Sequence, residues 1–551
     1  MYIRETSNTL ADGTKVKYVQ LCHNYWDSEA QVSKTEVLYS FGRKDKLDAE
    51  TVRNLIDSLS KLIEPEDIPE HTGKLDSIKD FAYKSSKSVG GSWVLDELWS
   101  DFSFDDIIES MLEERNYEVS IERLIFAMVA NRALNPSSKL AMEEWVEKDV
   151  FIEDLNSVDS HKLYRAMDFL HEVNEKLEYK IFDKLCHLFN MEVDLLYFDT
   201  TSSYYEIEEP EDEHDLRQFG YSKDKRPDRP QVVIGLAVTR EGIPIRSWTW
   251  PGNQDDMSLI EEVKDDLRGW NLGRVITVCD RGFASEDNRS YLQRAGGHYI
   301  MGEKLRSSKE EVQKAMSRPG RYKKVNDKLH IKEVIVGDGE ARDRYVLAKN
   351  PDEEKKDRQK REEIVSELKE ILSSLKQGDE NHTKKMCDLR SHPLYGRYLR
   401  QLKDGTLKLD KGQIREDARY DGKYLIKTSD DTLDPEDVAL GYKQLIDIED
   451  AFRTIKSDLE IRPMYHRRED RIRAHIKLCW LALLLVRIIE NKTDQSWRRV
   501  RKKLSRLRVG EFIFNSGTAK IVSDPNPHQL EILNALGIEG PPKYLDMKPD
   551  Q

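Results

Sequence analysis

The chain has 551 residues and a formal net charge of −14, with 38% hydrophobic and 35% charged residues. This composition is typical of a globular chain with several domains, and the longest apolar run, residues 478–486, is too short to cross a bilayer. The five cysteines form no C-x-x-C pair, which excludes a thiolate zinc site of the usual spacing. With an amino terminus that lacks the signal-peptide pattern, they predict a cytoplasmic protein.

The first 190 residues are predicted to form two regions. Residues 1–47 alternate polar and apolar side chains between turn residues, which is typical of a small antiparallel sheet. From residue 48 to about 190 the apolar residues recur at helical spacing, which predicts an all-helical domain. The segments with this spacing are 51–63, 120–134, 138–146 and 161–189.

A different pattern begins near residue 192. The order of the predicted elements is strand, strand, strand, helix, strand, helix, strand, up to residue 305. Two of the strands are continuous apolar runs, which indicates a sheet covered by helices on both faces. One run ends in Asp199 and the other in Asp280. Open α/β sheets bind ligands at the carboxyl ends of their strands, so we expect a site at that edge of a mixed α/β sheet.

Residues 306–420 interrupt this pattern with predicted hairpins, a long charged helix and short strands. The charged helix is interpreted as a solvated face in preference to a binding element. Past the next strand, a basic segment at 497–508 is the strongest generic patch for a DNA backbone, although the net negative charge counts weakly against nucleic acid. The tail past Pro525 is predicted to be loosely held.

One predicted helix, residues 434–459, organises the second half of the chain. Pro435 suits its first turn, and apolar residues recur along one stripe at alternating steps of four and three. Glu449 and Lys456 lie on the same stripe, so we expect them to face inward or along the rim of a cleft. A carboxylate in that position needs a cationic partner, which is either a metal ion or a salt bridge.

Asp199, Asp280 and Glu449 are therefore the candidates for chemistry. Three converging carboxylates can hold two hard divalent cations, and such a pair of metals, about 4 Å apart, supports phosphoryl transfer on nucleic acid. Turn or cap aspartates are the alternative interpretation of the two strand-terminal residues. Their distant spacing leaves that alternative open.

Four stretches, residues 197–206, 220–245, 278–285 and 442–476, resemble prokaryotic insertion-sequence DDE transposases of the IS4-like class, IS1634 type. The resemblance implies a ribonuclease H-like catalytic core with Asp199, Asp280 and Glu449 as catalytic, metal-ligating acids. It also implies two Mg²⁺ (or Mn²⁺) ions per site. The family signature Y-x2-R-x3-E-x6-K falls on Tyr442, Leu445, Glu449 and Lys456. Leucine replaces the usual arginine, and Arg453 is the expected substitute.

On this resemblance the DNA contacts fall in two groups. Tyr442, Arg453 and Lys456 come from the signature helix, and Arg281 directly follows an acid of the triad. A basic loop adds Lys223, Lys225, Arg226 and Arg229. A solvated loop is the alternative for that group, and pairing with a neighbouring acid is the alternative for Arg281.

The predicted domain division completes this picture. It comprises a small β region (1–47), a helical, DNA-end-binding domain (48–190), a core in two parts (191–305 and 421–490), a β-rich insertion (306–420) and a helical, basic region (491–551).

The predicted function is DNA transposition: binding of the element's terminal inverted repeats, metal-dependent cleavage and strand transfer into target DNA, by a homodimer. Two alternatives remain open from the sequence. One is a structure-specific nuclease on the same fold, and the other is a non-catalytic DNA-binding protein derived from a transposase. No membrane partner is expected.

Overall fold

The computed structural model of the chain describes residues 2–9, 15–27, 32–44, 82–112, 120–189, 193–270, 272, 275–306, 309–339, 342–374, 382–403, 405–462, 464–514 and 517–549. The chain divides into two compact units. The first comprises residues 1–191, 200–254 and 449–551, and the second comprises residues 192–199 and 255–448. No helix among the described residues is long and apolar enough to cross a membrane.

The strands of the described residues are, in chain order, β1 (Tyr2–Thr9), β2 (Lys15–Asp27), β3 (Val32–Arg43), β4 (Ala82–Ser88), β5 (Leu195–Tyr204), β6 (Gln231–Val238), β7 (Pro244–Pro251), β8 (Ile276–Cys279), β9 (His298–Glu303), β10 (Lys323–Asn326), β11 (Leu329–Val336), β12 (Asp343–Lys349), β13 (Leu399–Gln401), β14 (Leu407–Leu409), β15 (Lys423–Thr428), β16 (Arg508–Phe514), β17 (Gly517–Val522) and β18 (Tyr544–Pro549).

The α-helices of the same residues are α1 (Gly90–Asp101), α2 (Phe104–Leu112), α3 (Ile121–Leu134), α4 (Ala141–Glu144), α5 (Ser160–Phe189), α6 (Leu259–Leu267), α7 (Glu286–Gln293), α8 (Glu310–Ser317), α9 (Pro351–Ser374), α10 (His382–Ser391), α11 (Lys411–Asp417), α12 (Pro435–Lys443), α13 (Leu445–Ser457), α14 (Glu469–Thr493), α15 (Trp497–Leu504) and α16 (Pro527–Leu536).

Helix α14 forms the core of the first unit. Its residues 478–486 are fully buried, and the helix packs against α3 and α5. A buried ionic network joins these elements to the sheet. Glu178 of α5 accepts hydrogen bonds from the Arg246 guanidinium (2.8 Å) and the Ser247 hydroxyl (2.9 Å) of β7, and it pairs with Lys477 of α14. Because a buried charge is costly unless it is paired, this network fixes α5, β7 and α14 to one another.

The first unit also contains two small antiparallel sheets. The predicted amino-terminal sheet is present, with strand order β1-β2-β3. The second sheet has the order β18-β17-β16-β4. Within this sheet one prediction is wrong: residues 82–88 form a strand inside a segment predicted to be helical. Local pattern did not indicate this strand, because its pairing partner β16 lies near the other end of the chain.

The tail past Pro525 is not loosely held. It contains α16, which begins with a reciprocal capping box between Asn526 and Gln529, and the paired strand β18. The predicted helix at 51–63 lies outside the described residues.

The second unit is built on a mixed sheet with strand order β10-β11-β12-β15-β9-β8-β5. Strand β8 is parallel to both β5 and β9, and the other pairs are antiparallel. The mixed α/β prediction is therefore confirmed, and so is the element order from β5 to β9. Strands β10–β12, which belong to the predicted insertion, continue the sheet of the core strands. The division at residue 306 stays a prediction.

Strand β5 passes from the second unit into the first at Thr200. In the first unit it is followed in strand order by β6 and β7, which pair antiparallel from Val232 opposite Pro251 onward. The second and third predicted strands of this region are therefore present as an antiparallel pair.

The single helix predicted for residues 434–459 is two helices, α12 and α13, separated at Gln444. The Gln444 side-chain oxygen accepts a hydrogen bond of 2.8 Å from the Tyr197 hydroxyl of β5. Helix α12 packs over the sheet through the fully buried Val438 and Ala439. The spacing of apolar residues continues across the turn, so periodicity alone did not indicate the break.

Candidate functional site

The two aspartates that were predicted to end their strands are neighbours in the sheet of the second unit. Asp280 does follow the end of β8, but the prediction for Asp199 is wrong, because the buried residues 200–203 continue β5 to Tyr204. Strands β5 and β8 run parallel with Phe198 opposite Cys279, so Asp199 and Asp280 follow at the next position along each strand. Adjacent strands lie about 4.8 Å apart, and residues in register project to the same side. This register places Asp199, within β5, beside the carboxyl end of β8, where Asp280 follows.

The pKa of the Cys279 thiol is affected by both acids. It is fully buried, and burial raises its pKa well above the usual value, with the charges of Asp199 and Asp280 adding to the effect. Asp280 itself is exposed, and a short 3₁₀ turn, Arg281–Phe283, follows it.

Tyr442 of α12 holds the second aspartate. Its hydroxyl donates a hydrogen bond of 3.0 Å to Oδ1 of Asp280. Burial raises the pKa of Tyr442, and the Asp280 charge raises it further, so the phenol stays protonated and keeps donating. The predicted phosphate contact is thus a residue that orients a carboxylate.

The packing around Tyr442 leaves the ring little room to move. Its ring stacks on Tyr424 of β15, with centroids 5.9 Å apart and planes inclined by 28°. A Cβ atom at Gly302 of β9 would lie only 2.1 Å from the Tyr442 hydroxyl oxygen. Glycine is therefore required at residue 302 for the tyrosine to reach Asp280.

The aspartate pair fits a hard divalent cation. Carboxylate oxygens are the ligands that Mg²⁺ and Mn²⁺ prefer, and Mg²⁺ is commonly held by one or two carboxylates with water and substrate phosphate. Within the part of the chain that the structure describes, no three His, Cys, Asp or Glu side chains are grouped to hold a metal ion. The carboxylates that could bind a metal ion beside the carboxyl end of β8 are those of Asp199 and Asp280.

Glu449 belongs to the first unit, on α13, and its side chain is exposed. Of the two positions predicted for it, inward or along a cleft rim, the inward one is wrong. The apolar residues that follow Glu449 on the predicted stripe, Phe452 and Leu459, are buried, at 6% and 0% exposure. Ile448 and Ile455 are buried as well, so the buried face of this helix is centred beside Glu449 and leaves its carboxylate exposed. Arg453, one turn further on, pairs with Asp450 of the same helix.

Lys456 is held by an acid that the sequence analysis did not single out. Its ammonium lies 2.6 Å from Oδ1 of Asp224, whose side chain is 3% exposed, and Arg462 pairs with the other carboxylate oxygen. Burial lowers the pKa of Lys456, against the opposing effect of its bond to Asp224. Asp224 lies between Lys223 and Lys225, so an acid within a basic run was the available signal.

The other cations of the basic loop have local partners of different kinds. The Lys223 ammonium donates to the backbone oxygen of Thr200 at 2.8 Å. Arg226 makes a two-point pair with Asp228, at 2.9 and 3.0 Å, and Arg229 donates to the backbone oxygen of Ile207 at 3.1 Å. Lys225 is exposed at a left-handed backbone position, φ 59°.

The structure thus separates the predicted site residues into two groups. In the second unit it brings together Asp199, Asp280 and Tyr442, with Arg281 close enough to lower the Tyr442 pKa. In the first unit it joins Lys456 to the basic loop through Asp224.

Comparisons with known proteins were made against family models, curated sequences and solved structures. The family model "Transposase DDE domain" matches residues 206–485, just over half of the chain, and "IS1634 family transposase, N-terminal domain" matches residues 3–67. The longer match includes Asp280 and Glu449 and begins after Asp199. No curated protein sequence matches the chain significantly.

A similar solved structure is that of the "piggyBac transposase synaptic complex with hairpin DNA". It is 11% identical, covers 75% of this chain and 78% of its own, and gives a TM-score of 0.35. Similarity at this TM-score adds no argument for the fold.

Proposed function

This chain belongs to the insertion-sequence DDE transposases, and we propose that Asp199, Asp280 and Glu449 are the three acids of its catalytic site. The observation that supports the proposal is the parallel register of β5 and β8, in which Asp199 and Asp280 directly follow the paired residues Phe198 and Cys279 on neighbouring strands. Glu449 is assigned from the family signature, with Tyr442 and Lys456 at the matching positions of the same segment. The core is proposed to be ribonuclease H-like.

In this proposal Asp199, Asp280 and Glu449 are the residues that would hold two Mg²⁺ (or Mn²⁺) ions. Such ions, when bound, would lower the pKa of the attacking water or hydroxyl group and neutralise charge on the leaving oxygen. Tyr442 keeps the Asp280 carboxylate oriented by donating to Oδ1, and the other oxygen stays available as a ligand.

The proposed reaction has two steps on DNA. Water attacks the phosphorus at the end of the element, and the bond to the 3′ oxygen breaks to leave a free 3′-hydroxyl. That hydroxyl then attacks a phosphorus of the target DNA, so a new phosphodiester forms as the old one breaks. Lys456, Arg453, Arg281 and the basic loop are proposed to position the phosphates.

The proposed partners are the terminal inverted repeats of the element and the target DNA, with the protein acting in the cytoplasm as a homodimer on paired ends. The helical region at 48–190 is proposed to bind the DNA end. Because the two ends must be joined in one event, a dimer is the simplest assembly.

The test uses a donor plasmid that carries the DNA flanking the gene, incubated with protein and Mg²⁺. We expect cleaved ends and strand-transfer products from the wild type, and a loss of at least about 1,000-fold in both with Asp199→Asn or Asp280→Asn. For Glu449→Gln the matched control is Asp450→Asn, which alters the neighbouring acid of the same helix. We expect the control to retain activity.

Other products would decide against the proposal. Cleavage without joined product would indicate a nuclease, and an Asp199→Asn variant with full activity would indicate that this acid is not catalytic. Glu449→Gln and Asp450→Asn with equal activity would remove Glu449 from the site.

A further inference from the structure

Helix α15 and the turn after it present a positively charged surface, which we call the α15 surface. Its members, Arg498, Arg499, Lys502 and Arg506, all have exposed side chains. Arg498 and Lys502 are four residues apart and therefore lie on one side of the helix, and Arg506 lies in the turn directly after it. The segment 497–508 contains no aspartate or glutamate, although the chain carries a net charge of −14.

The opposite side of α15 fixes the direction in which this surface faces. Trp497, Val500 and Leu504 are fully buried. The Trp497 indole nitrogen donates a hydrogen bond of 2.8 Å to the backbone oxygen of Ala133 at the end of α3. The helix is anchored along its whole length, so the basic side chains cannot be turned inward.

Helix stability does not explain the basic residues of the first turn. The amino-terminal end of a helix carries a partial positive charge, which favours acids there and disfavours cations. Helix α15 has no acid in its first turn and instead carries Arg498 and Arg499. These two arginines oppose the helix dipole, in contrast to Arg501, Lys502 and Lys503, which suit the last turn.

Helix α9 shows what a charged but merely solvated helix looks like in the same chain. Its first turn carries Asp352, Glu353 and Glu354, as the dipole favours. Its exposed lysines and arginines alternate with acids, and Lys356 pairs with Glu353 at 2.7 Å. The two helices are therefore charged for different reasons.

The positive character continues past the end of α15. Ser505, Arg506 and Arg508 line a cavity of about 430 Å³ together with Arg4 and neutral hydrogen-bonding side chains, Gln20 and Asn526 among them. Two acids, Glu36 and Asp524, also line it. Arg508 already donates to Ser86 and pairs with Glu36, so Arg506 is the arginine of this segment that extends the α15 surface. Arginine is a side chain that donates hydrogen bonds to phosphate oxygens.

We propose that the α15 surface binds the phosphate backbone of duplex DNA while the transposase acts on it. The inference rests on the proposed function, and it adds a contact outside the catalytic site. Three exposed cations on a fixed helix and a fourth in the turn after it match the one occupant with dense negative charge that a transposase must hold. Because they lie on a convex helix face and reach phosphates, they carry no sequence preference.

The test compares two variants that each lose four positive charges. One is Arg498→Gln, Arg499→Gln, Lys502→Gln and Arg506→Gln; the matched control is Lys355→Gln, Lys356→Gln, Arg358→Gln and Lys360→Gln, all exposed on α9. The binding of a duplex from the flanking DNA and of an unrelated duplex is measured by fluorescence anisotropy over a range of KCl concentrations. Urea unfolding of each variant is measured in parallel.

We expect the α15 variant to bind both duplexes at least about tenfold more weakly, with a salt slope lower by about one unit for each lost contact. The control should bind like the wild type. Neutral residues relieve the first turn, and Lys502→Gln gives up a favourable charge in the last turn, so the two effects of the helix dipole offset each other. The α15 variant should therefore unfold at about the same urea concentration as the wild type. An unchanged urea midpoint would show that the weaker binding of the α15 variant does not arise from unfolding.

Equal affinities and salt slopes for the two variants would overturn the inference, and a wild type that still cleaves its DNA would leave the proposed function standing. If the wild type never cleaves the DNA but the α15 variant still binds DNA more weakly than the wild type, the result would support the proposed surface and count against the proposed function.

Discussion

The ammonium of Lys456 lies 2.6 Å from Oδ1 of Asp224, and the Asp224 side chain is almost fully buried. Arg462 pairs with the same carboxylate, so one acid balances two cations. This acid connects α13, which carries Glu449, to the loop between β5 and β6. The arrangement makes Asp224 a structural requirement of the first unit.

Asp224→Asn is expected to destabilise the protein. The amide cannot neutralise Lys456 and Arg462, which then repel each other beside a buried polar group. We expect a loss of about 2–3 kcal/mol in the free energy of unfolding, less than for a completely buried pair because both cations are partly exposed. Urea denaturation measures it. Asp228→Asn, in an exposed pair with Arg226, should change the free energy of unfolding far less, and equal losses would contradict the prediction.

Tyr442→Phe should raise the Mg²⁺ concentration that DNA cleavage requires, without unfolding the protein. The variant keeps the stacked ring and loses only the hydroxyl that donates to Asp280. Loss of a group that orients a metal ligand commonly costs about 10- to 100-fold in metal affinity or activity. The measurement is DNA cleavage as a function of Mg²⁺ concentration. Tyr424→Phe, which alters the other ring of the stack, serves as the control, and an unchanged Mg²⁺ requirement in Tyr442→Phe would refute the role.

Gly302→Ala is expected to displace Tyr442. The new methyl group would lie 2.1 Å from the tyrosine hydroxyl oxygen, so the ring must move away from Asp280. We expect a loss of about 1–3 kcal/mol in stability and the same raised Mg²⁺ requirement as in Tyr442→Phe. Gly269→Ala, where a Cβ meets nothing within 4 Å, should change neither quantity. A fully active, stable Gly302→Ala would show that the tyrosine position is not needed.

Glu178→Gln should destabilise the core of the first unit strongly. The glutamine leaves Arg246 and Lys477 buried without an opposing charge, a situation that typically costs about 3–5 kcal/mol. Glu175→Gln, on the exposed side of the same helix, should stay within about 0.5 kcal/mol of the wild type. The two variants are compared by the midpoint and slope of urea unfolding.

Lys139 should make stability depend on pH. Its side chain is 3% exposed, and burial, with a smaller effect of the Arg132 charge, lowers its pKa to about 7. Between pH 7 and the unfolded value near 10.5, the unfolded chain binds the proton and the folded chain does not, so this residue makes stability rise with pH. Lys139→Met should therefore stabilise the protein most at pH 7 and progressively less toward pH 10. A constant difference across that range would contradict the lowered pKa.

Much of the second unit followed from local pattern. The apolar runs that end in Asp199 and Asp280 predicted two buried strands, and both strands are present with their aspartates in adjacent positions. The break at Gln444 did not follow, because the contact that stabilises it comes from Tyr197, far away in sequence.

The sequence by itself determined the order of strands and helices from β5 to β9, two buried strands that contain or precede the aspartates, and the resemblance to the family, because periodicity, apolar runs and motifs are local. Only the tertiary structure decided that Tyr442 donates to Asp280, that Lys456 is balanced by Asp224 and that β4 pairs with β16. These contacts join residues that the chain holds far apart. Their partners are chosen by packing and by the cost of leaving a buried charge or backbone group unpaired, which no local pattern encodes.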